Sequence, residues 1–533
     1  MANTIQRDSY VHSYEKKLIE ANQKYWAGTP AVLDGRQWIY VLHGIPYELE
    51  FTVTEDLIAK GLQTRLKLPV ISVSCKVKRE TTDQLDSSFG FKEKVFLDSD
   101  AYISSARKIK ADIAARQTAK ATYGSKKKLI QIKYKNIECG NSIYDEIIRS
   151  NTGRYFDCFD ISFEAYYQFI KSAFIVIEKA YQIFGRRKPA YIITTECDYE
   201  KGLFASVAVF MGAQLVISSP DYASVDTVLQ ISPGQALFKD IMLGDLLRRN
   251  IEIYLEKNAV KNAVKNTVKE TEKETEKENQ NYFILKTEEQ PQNNILEQIG
   301  IKNNKKNVFI MLHALSDEVR EAYRHNIYAD YNEWYVDTLR IIKQIDDVNW
   351  IIKDHPMSRF FHQEDYIRSV FEKNKKEHMY WCDRKISGMQ IKEAADCVIT
   401  CAGDVGIEYW AYGIPTITVS KAYYCNWGIS YNLETLKEYE NTLKNIKNIP
   451  SPKAESIKRA QTCLSAFHEM SKSSDAFASL VMDMRHLILN YLKNGNFEYG
   501  YVFHMFCQKY IDLLNTSGLK SSSVFQLNNI HEV

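Results

Sequence analysis

Little in this chain suits a membrane span, a nucleic acid or an oxidising compartment. The longest apolar run, 203–217, contains Gly212 and Gln214 and falls short of a bilayer, so no integral span is expected. Residues 1–26 are polar and charged rather than a basic region followed by an apolar core, so no secretory leader is expected. A net charge of only +2 over 533 residues offers no basic field, which argues against nucleic acid as a partner. The ten cysteines, at 75, 139, 158, 197, 382, 397, 401, 425, 463 and 507, form no Cys-x-x-Cys pair. Several lie in apolar runs, as Cys397 and Cys401 do, which suits reduced thiols in a reducing compartment, and no cysteine zinc site is expected.

What is present is a large apolar fraction, 45%, on a length that implies roughly two to four domains. One break interrupts it. Residues 256–280 are a degenerate repeat of Lys, Glu, Asn, Thr and Val with almost no large apolar side chain, and such a segment cannot bury enough surface to offset its ordering entropy. Before the break, 38–43 and 68–74 read as strands around a helix over 55–66. Long helices are expected over 101–121 and 162–184, and a strand over 190–195 leads to Glu196 and Asp198. After it, 307–313, 349–353, 397–400 and 416–419 read as strands, and from Pro452 the pattern is helical to about Leu514. Alternation of this kind predicts α/β units with parallel sheets and right-handed crossovers.

Two strand-then-turn signals, about 50 residues apart, say most about function. The first is Asn349-Trp-Ile-Ile-Lys353-Asp-His355-Pro356; the second runs from Cys397 through Gly403-Asp404-Val405-Gly406-Ile407-Glu408. Each delivers polar or glycine-rich residues to the carboxyl end of a buried strand, where open α/β sheets bind ligands, and each points to a following helix N-terminus. His-Pro can serve only to preset φ at a helix start, and Gly-x-x-Gly can be a mere tight turn. Taken together they read as a phosphate-bearing ligand site, with Lys353 and His355 as donors, Pro356 and the 403–406 loop as backbone cradle, and Glu408 as the ribose carboxylate.

The runs Phe309-Ile-Met-Leu-His313-Ala-Leu-Ser316-Asp317, Asp330-Tyr-Asn-Glu-Trp334, Trp350 to Pro356, and Thr400 through Tyr409 to Gly413-Ile414-Pro415 carry a family resemblance. They resemble the nucleotide-binding half of bacterial capsule and surface-polysaccharide biosynthesis proteins, a GT-B-like family similar to the capsule Kdo transferases that use a CMP-activated sugar. The 137–145 segment and the Tyr199–Gly202 and Met211–Ala213 runs resemble the same family more faintly. Asp404 departs from the pattern, since the family usually carries a hydroxyl residue there.

The resemblance implies two Rossmann-like sheets facing a cleft. An acceptor-side α/β domain over 1–255 and a low-complexity insertion over 256–300 would precede a nucleotide-sugar domain over 301–450, followed by a helical region over 451–533. It implies a glycosyltransferase with a nucleotide-sugar donor, a glycan or lipid-linked acceptor and no other cofactor. A CDP-polyol phosphotransferase and a non-catalytic assembly partner in polysaccharide export are the alternatives. The sequence is read as lacking an Asp-x-Asp of the kind that holds a divalent metal on a sugar diphosphate, so metal-independent transfer is expected. Removing the acceptor proton needs a carboxylate or imidazole, and the strand ends offer His43, Glu196 and Asp198 in the first half and His313 and Asp317 in the second. The location expected is cytoplasmic. Peripheral contact with the inner face of the membrane through 241–255 competes there with ordinary helix packing.

Overall fold

The computed structural model describes residues 15–29, 34–43, 49–74, 79–150, 157–194, 199–217, 229–231, 295–317, 326–359, 361–383, 388–422, 424–471 and 499–516, with a few isolated positions besides. Contacts divide the chain into two units. The first comprises 1–143, 161–240 and 470–533, and the second 144–160 and 241–469, so neither is one continuous stretch and the division is not a single cut near 255. Residues 257–280 of the repeat, Glu196, Asp198 and almost all of 241–255 lie outside the described residues.

In the first unit the strands are β1 (Gln37–Leu42), β2 (Val70–Ser74), β3 (Glu93–Phe96), the small hairpin β4 (Lys133–Tyr134) and β5 (Ile137–Glu138), then β6 (Lys188–Thr194), β7 (Gln214–Ile217) and β8 (Leu229–Ile231). Six of them form one sheet in the order β3-β2-β1-β6-β7-β8, parallel except for β8, which runs antiparallel to β7. The strands read from the sequence at 38–43, 68–74 and 190–195 are β1, β2 and β6. Their apolar runs are continuous because both faces of a parallel sheet are covered.

Helix Phe163–Arg186 starts where Ser162 takes the Ala165 N–H, a polar cap just before an apolar periodicity. One helix is unusual. Leu49–Leu66 is buried from Phe51 to Gln63 although it carries Thr52, Thr54, Glu55, Asp56, Lys60 and Gln63. Its apolar residues, Leu57 among them, join a core with Ile39, Trp26, Phe89, Phe506 and Tyr510.

The second unit contains β9 (Asn307–Met311), β10 (Asn349–Lys353), β11 (Met379–Cys382), β12 (Cys397–Thr400), β13 (Thr416–Thr418) and β14 (Tyr431–Asn432). They form one all-parallel sheet in the order β11-β10-β9-β12-β13-β14. Numbered from its own first strand, each sheet has the order 3-2-1-4-5-6 of a Rossmann fold. The fold is thus α/β with two Rossmann-like sheets, as the sequence predicts.

Several contacts tie the 144–160 segment to the rest of the second unit. Tyr144 Oη donates to Asp330 Oδ2, Asp145 accepts the Arg320 N–H at 2.9 and 3.0 Å, and Arg149 Nη1 pairs with Asp317 Oδ1 at 2.7 Å. Asp330 also caps helix Tyr331–Ile342, taking the Glu333 N–H at 2.6 Å. The C-terminal helices read from the sequence are present as Ala454–Ser471 and Tyr499–Asn515. Among the described residues no helix is long and apolar enough to cross a membrane.

Candidate functional site

Strand order places the site. In the second sheet the chain builds outward from β9 through β10 to β11, then returns to the other side of β9 with β12. The loops leaving β9 and β12 therefore part company at their carboxyl ends, and such a switch point opens a crevice. The loop after β9 carries His313 to Asp317, the loop after β10 carries Asp354 to Arg359, and the loop after β12 carries Cys401 to Asp404.

His313 stands at the switch point. Its ring stacks on Tyr331 with centroids 4.5 Å apart, and its Nε2 accepts the Ala402 N–H at 3.3 Å, with Thr400 Oγ1 at 3.2 Å. Burial, with His355 nearby, pushes its pKa down to about 3. The imidazole is thus neutral at pH 7, and because Nε2 is an acceptor the proton sits on Nδ1. This side chain ties the β9 loop to the β12 loop. The neighbouring loop is clamped as well: Gln363, buried, accepts the Leu315 N–H at 2.8 Å and donates to Ser316 Oγ.

His355 lies parallel to His313, centroids 6.4 Å apart. Its backbone N–H goes to Asp354 Oδ1 at 2.8 Å, and its Nδ1 accepts the Met357 N–H at 3.2 Å. With Nδ1 so used, the neutral ring carries its hydrogen on Nε2 and is a donor there. Pro356 is exposed and opens Pro356–Arg359, a single 3-10 turn rather than the full helix the sequence suggests. That turn has few aligned peptide dipoles to offer an anion. A residue that sequence reasoning passed over lies beside it. Asp354 is buried, accepts from Ser358 Oγ at 2.6 Å, and burial pushes its carboxyl up to about 6. Its signal was available, since it ends a strand directly before His-Pro.

Lys353 is directed elsewhere: it is nearly buried and its Nζ donates to the Asp383 carbonyl at 2.7 Å. Asp317 is held by Arg149. In the β12 loop, Asp404 takes the cap position of helix Val405–Ala411 with helical φ and ψ of −56° and −25°, and its exposed side chain makes no capping bond. Glu408 lies one turn in and is half-buried. The glycines here have a packing reason. Tyr424 Oη donates to the Gly403 carbonyl at 2.6 Å, and a Cβ on Gly406 would stand 2.0 Å from that hydroxyl.

The structure thus brings together His313, His355, Thr400 and the Gly403 turn. Lys353 and Asp317 point to partners of their own, and Glu196 and Asp198 lie outside the described residues. An Asp-x-Asp does occur in the first unit, at Asp98-Ser-Asp100. There Ser99 caps a 3-10 turn and Asp100 pairs with Lys108 at 2.5 Å.

An open parallel sheet with two loops drawn together at its switch point defines the class, a Rossmann-like α/β unit. More particularly, residues 276–462 match the family described as "Capsule polysaccharide biosynthesis protein". The resemblance carried by the runs between Phe309 and Pro415 is borne out by that match. No curated protein matches the chain. Among solved structures, it is similar to UDP-GlcNAc 2-epimerase from Neisseria meningitidis bound to UDP-GlcNAc (12% identity, 81% of this chain and 99% of that chain, TM-score 0.21). A spinosyn rhamnosyltransferase (10%, 84% and 99%, TM-score 0.24) and a wall teichoic acid polymerase (11%, 92% and 98%, TM-score 0.22) are similar at the same level. Likenesses this distant carry no argument.

Proposed function

We propose that this chain is a glycosyltransferase that moves a sugar from a nucleotide-activated donor, CMP-linked by the resemblance to capsule Kdo transferases, onto a growing capsular or surface glycan. The observation that carries the reading is the meeting of His313, His355 and the Gly403 turn at the switch point of a Rossmann-like sheet, inside the stretch that matches the capsule family.

In this reading His355 donates its Nε2 hydrogen to the donor phosphate. Pro356 and the Gly403-Asp404-Val405-Gly406 turn shape the backbone that receives it, and Glu408 accepts the ribose hydroxyls. His313 positions the two loops rather than moving a proton, because its lone pair is taken and its basicity is low. Lys353 supports the β10 loop through Asp383. The acceptor base comes from Glu196 or Asp198, at the carboxyl end of β6 in sequence, or from Asp317. Phosphate charge is met by fixed donors without a divalent ion. The work is done at the cytoplasmic face of the membrane, on a glycan or lipid-linked acceptor.

A thermal-shift panel of CMP, CDP, UDP, GDP and dTDP ligands tests the site, because a ligand of the native state raises its melting temperature by mass action. One nucleotide class should stand out, with CMP expected. His355→Ala should then weaken that nucleotide at least tenfold by calorimetry, about 1.4 kcal/mol, while the protein stays folded. A folded variant with parental affinity, or a parent that responds to none of the five, would remove the site.

A further inference from the structure

The first sheet has its own switch point, between β1 and β6, and the residue that follows β1 there is His43. Its ring is fully buried and carboxylates meet it on both sides. Nδ1 lies 2.9 Å from Glu55 Oε2, and Nε2 lies 2.9 Å from Asp86 Oδ1 and 3.8 Å from Asp56 Oδ1. None of the four side chains is accessible to solvent. Ser72 donates to the other oxygen of Asp86 and stands 3.4 Å from Nε2.

Three carboxylates around one imidazole leave an excess of negative charge even if the ring is protonated. Burying such an excess without a counter-charge is costly. Both oxygens of Asp56 also have no hydrogen-bond donor, although they are fully buried. Around them stand the carboxyl groups of Asp86, close enough to share a proton, and of Glu55, with the His43 ring 3.8 Å away. This cluster is short of positive charge and of something for Asp56 to hold.

We infer that His43, Asp56 and Asp86 form a binding site for one first-row divalent cation, with Glu55 as the outer carboxylate that orients the imidazole. One ligand atom from each of the three lies within 4.8 Å of the others. Nε2 stands 2.9 Å from Asp86 Oδ1 and 3.8 Å from Asp56 Oδ1, within the roughly 4.4 Å that two ligands with bonds of about 2.0–2.2 Å can span across one ion. A metal-bound histidine characteristically gives its other ring N–H to a carboxylate, and the Nδ1 contact to Glu55 has that form. Mixed imidazole and carboxylate ligation suits Zn²⁺, Mn²⁺ or Fe²⁺ over Mg²⁺ or Ca²⁺, which take all-oxygen sites. The ion would neutralise the cluster and give the Asp56 oxygens a partner.

Its role would be to brace the β1 turn against helices Leu49–Leu66 and Arg79–Ser88, which supply Glu55 and Asp56 and then Asp86. The site belongs to the first unit and is separate from the donor loops, so its failure would leave the nucleotide reading standing.

The full chain, stripped with a chelator and dialysed singly against Zn²⁺, Mn²⁺, Fe²⁺ (anaerobically), Mg²⁺ or Ca²⁺, tests this by elemental analysis and thermal melting. One transition-metal ion per chain should be retained, with a melting temperature several degrees above the stripped form. Asp56→Asn keeps the shape, removes a ligand charge and should lower affinity for that ion at least tenfold while the protein still folds. Equal retention by parent and Asp56→Asn, uptake of Mg²⁺ or Ca²⁺ alone, or no ion with Asp56→Asn melting higher than the stripped parent would overturn the site. The last result would identify a proton shared between Asp56 and Asp86 instead.

Discussion

Asp354 occupies the turn between β10 and His355 with a carboxyl that burial holds up to about 6. An acid whose pKa is raised on folding contributes stability that is fully present below its unfolded value near 4 and is lost as the pH climbs through 6. The loss amounts to roughly 2–3 kcal/mol at most. Asp354→Asn keeps an oxygen for the His355 N–H and for Ser358 Oγ but cannot ionise. Its melting temperature relative to the parent should therefore rise from pH 4 to pH 7. A difference that stays constant over that range would show that the carboxyl is not strained by ionisation.

At this scale the sequence was only partly legible. Strand ends and the His-Pro and glycine signals marked the loops correctly, because apolar runs and turn residues are local features. That Lys353 would turn to Asp383, that His313 would spend its lone pair on Ala402, and that Gly406 makes room for Tyr424 depend on chain far away in sequence.

Among elements, the long helix Phe163–Arg186 carries a buried acid that fastens it to two others. Glu178, almost inaccessible, receives Arg107 Nη1 at 2.7 Å from helix Ser105–Thr122, and Lys135 Nζ at 2.5 Å and Tyr134 Oη at 2.7 Å from the β4–β5 hairpin. Burial alone would raise its pKa, but the three donors outweigh burial and hold it below the usual carboxylate range. Glu178→Ala removes the shared partner of two half-exposed cations and of the Tyr134 hydroxyl and should cost about 1–3 kcal/mol of unfolding free energy, measured by urea titration at neutral pH.

A lowered pKa contributes stability above the unfolded value and loses it as the pH falls through the folded one, so the variant's deficit should shrink in acid. A deficit under 1 kcal/mol at pH 7 would mean that the cations simply return to water. The two helices were readable from their periodicity, though the first starts at Ser105 behind its Ser104 cap rather than at 101. Their shared acid was not, because 71 residues separate Arg107 from Glu178.

For the whole molecule, composition sets 256–280 apart, and the repeat contains almost nothing that could enter a core. Replacing it with a Gly/Ser linker of equal length should leave nucleotide affinity within a few-fold and the melting temperature nearly unchanged. A collapse of either would show that the segment packs or holds a partner. Both sheets and most of their strands were legible because buried parallel strands are written as unbroken apolar runs. The way the chain is shared between the units was not, since nothing local marks 144–160 or the C-terminal helix as belonging across the break.

That sharing has a consequence during synthesis. Phe506, Cys507, Tyr510 and Leu514 lie in the same core as Ile39, Val41 and Leu57. A ribosome adding about 5–20 residues per second therefore makes the whole of the second unit before the first can close around helix Tyr499–Asn515. The domain that begins first is finished last, and until then the polar helix Leu49–Leu66 waits with part of its covering still untranslated.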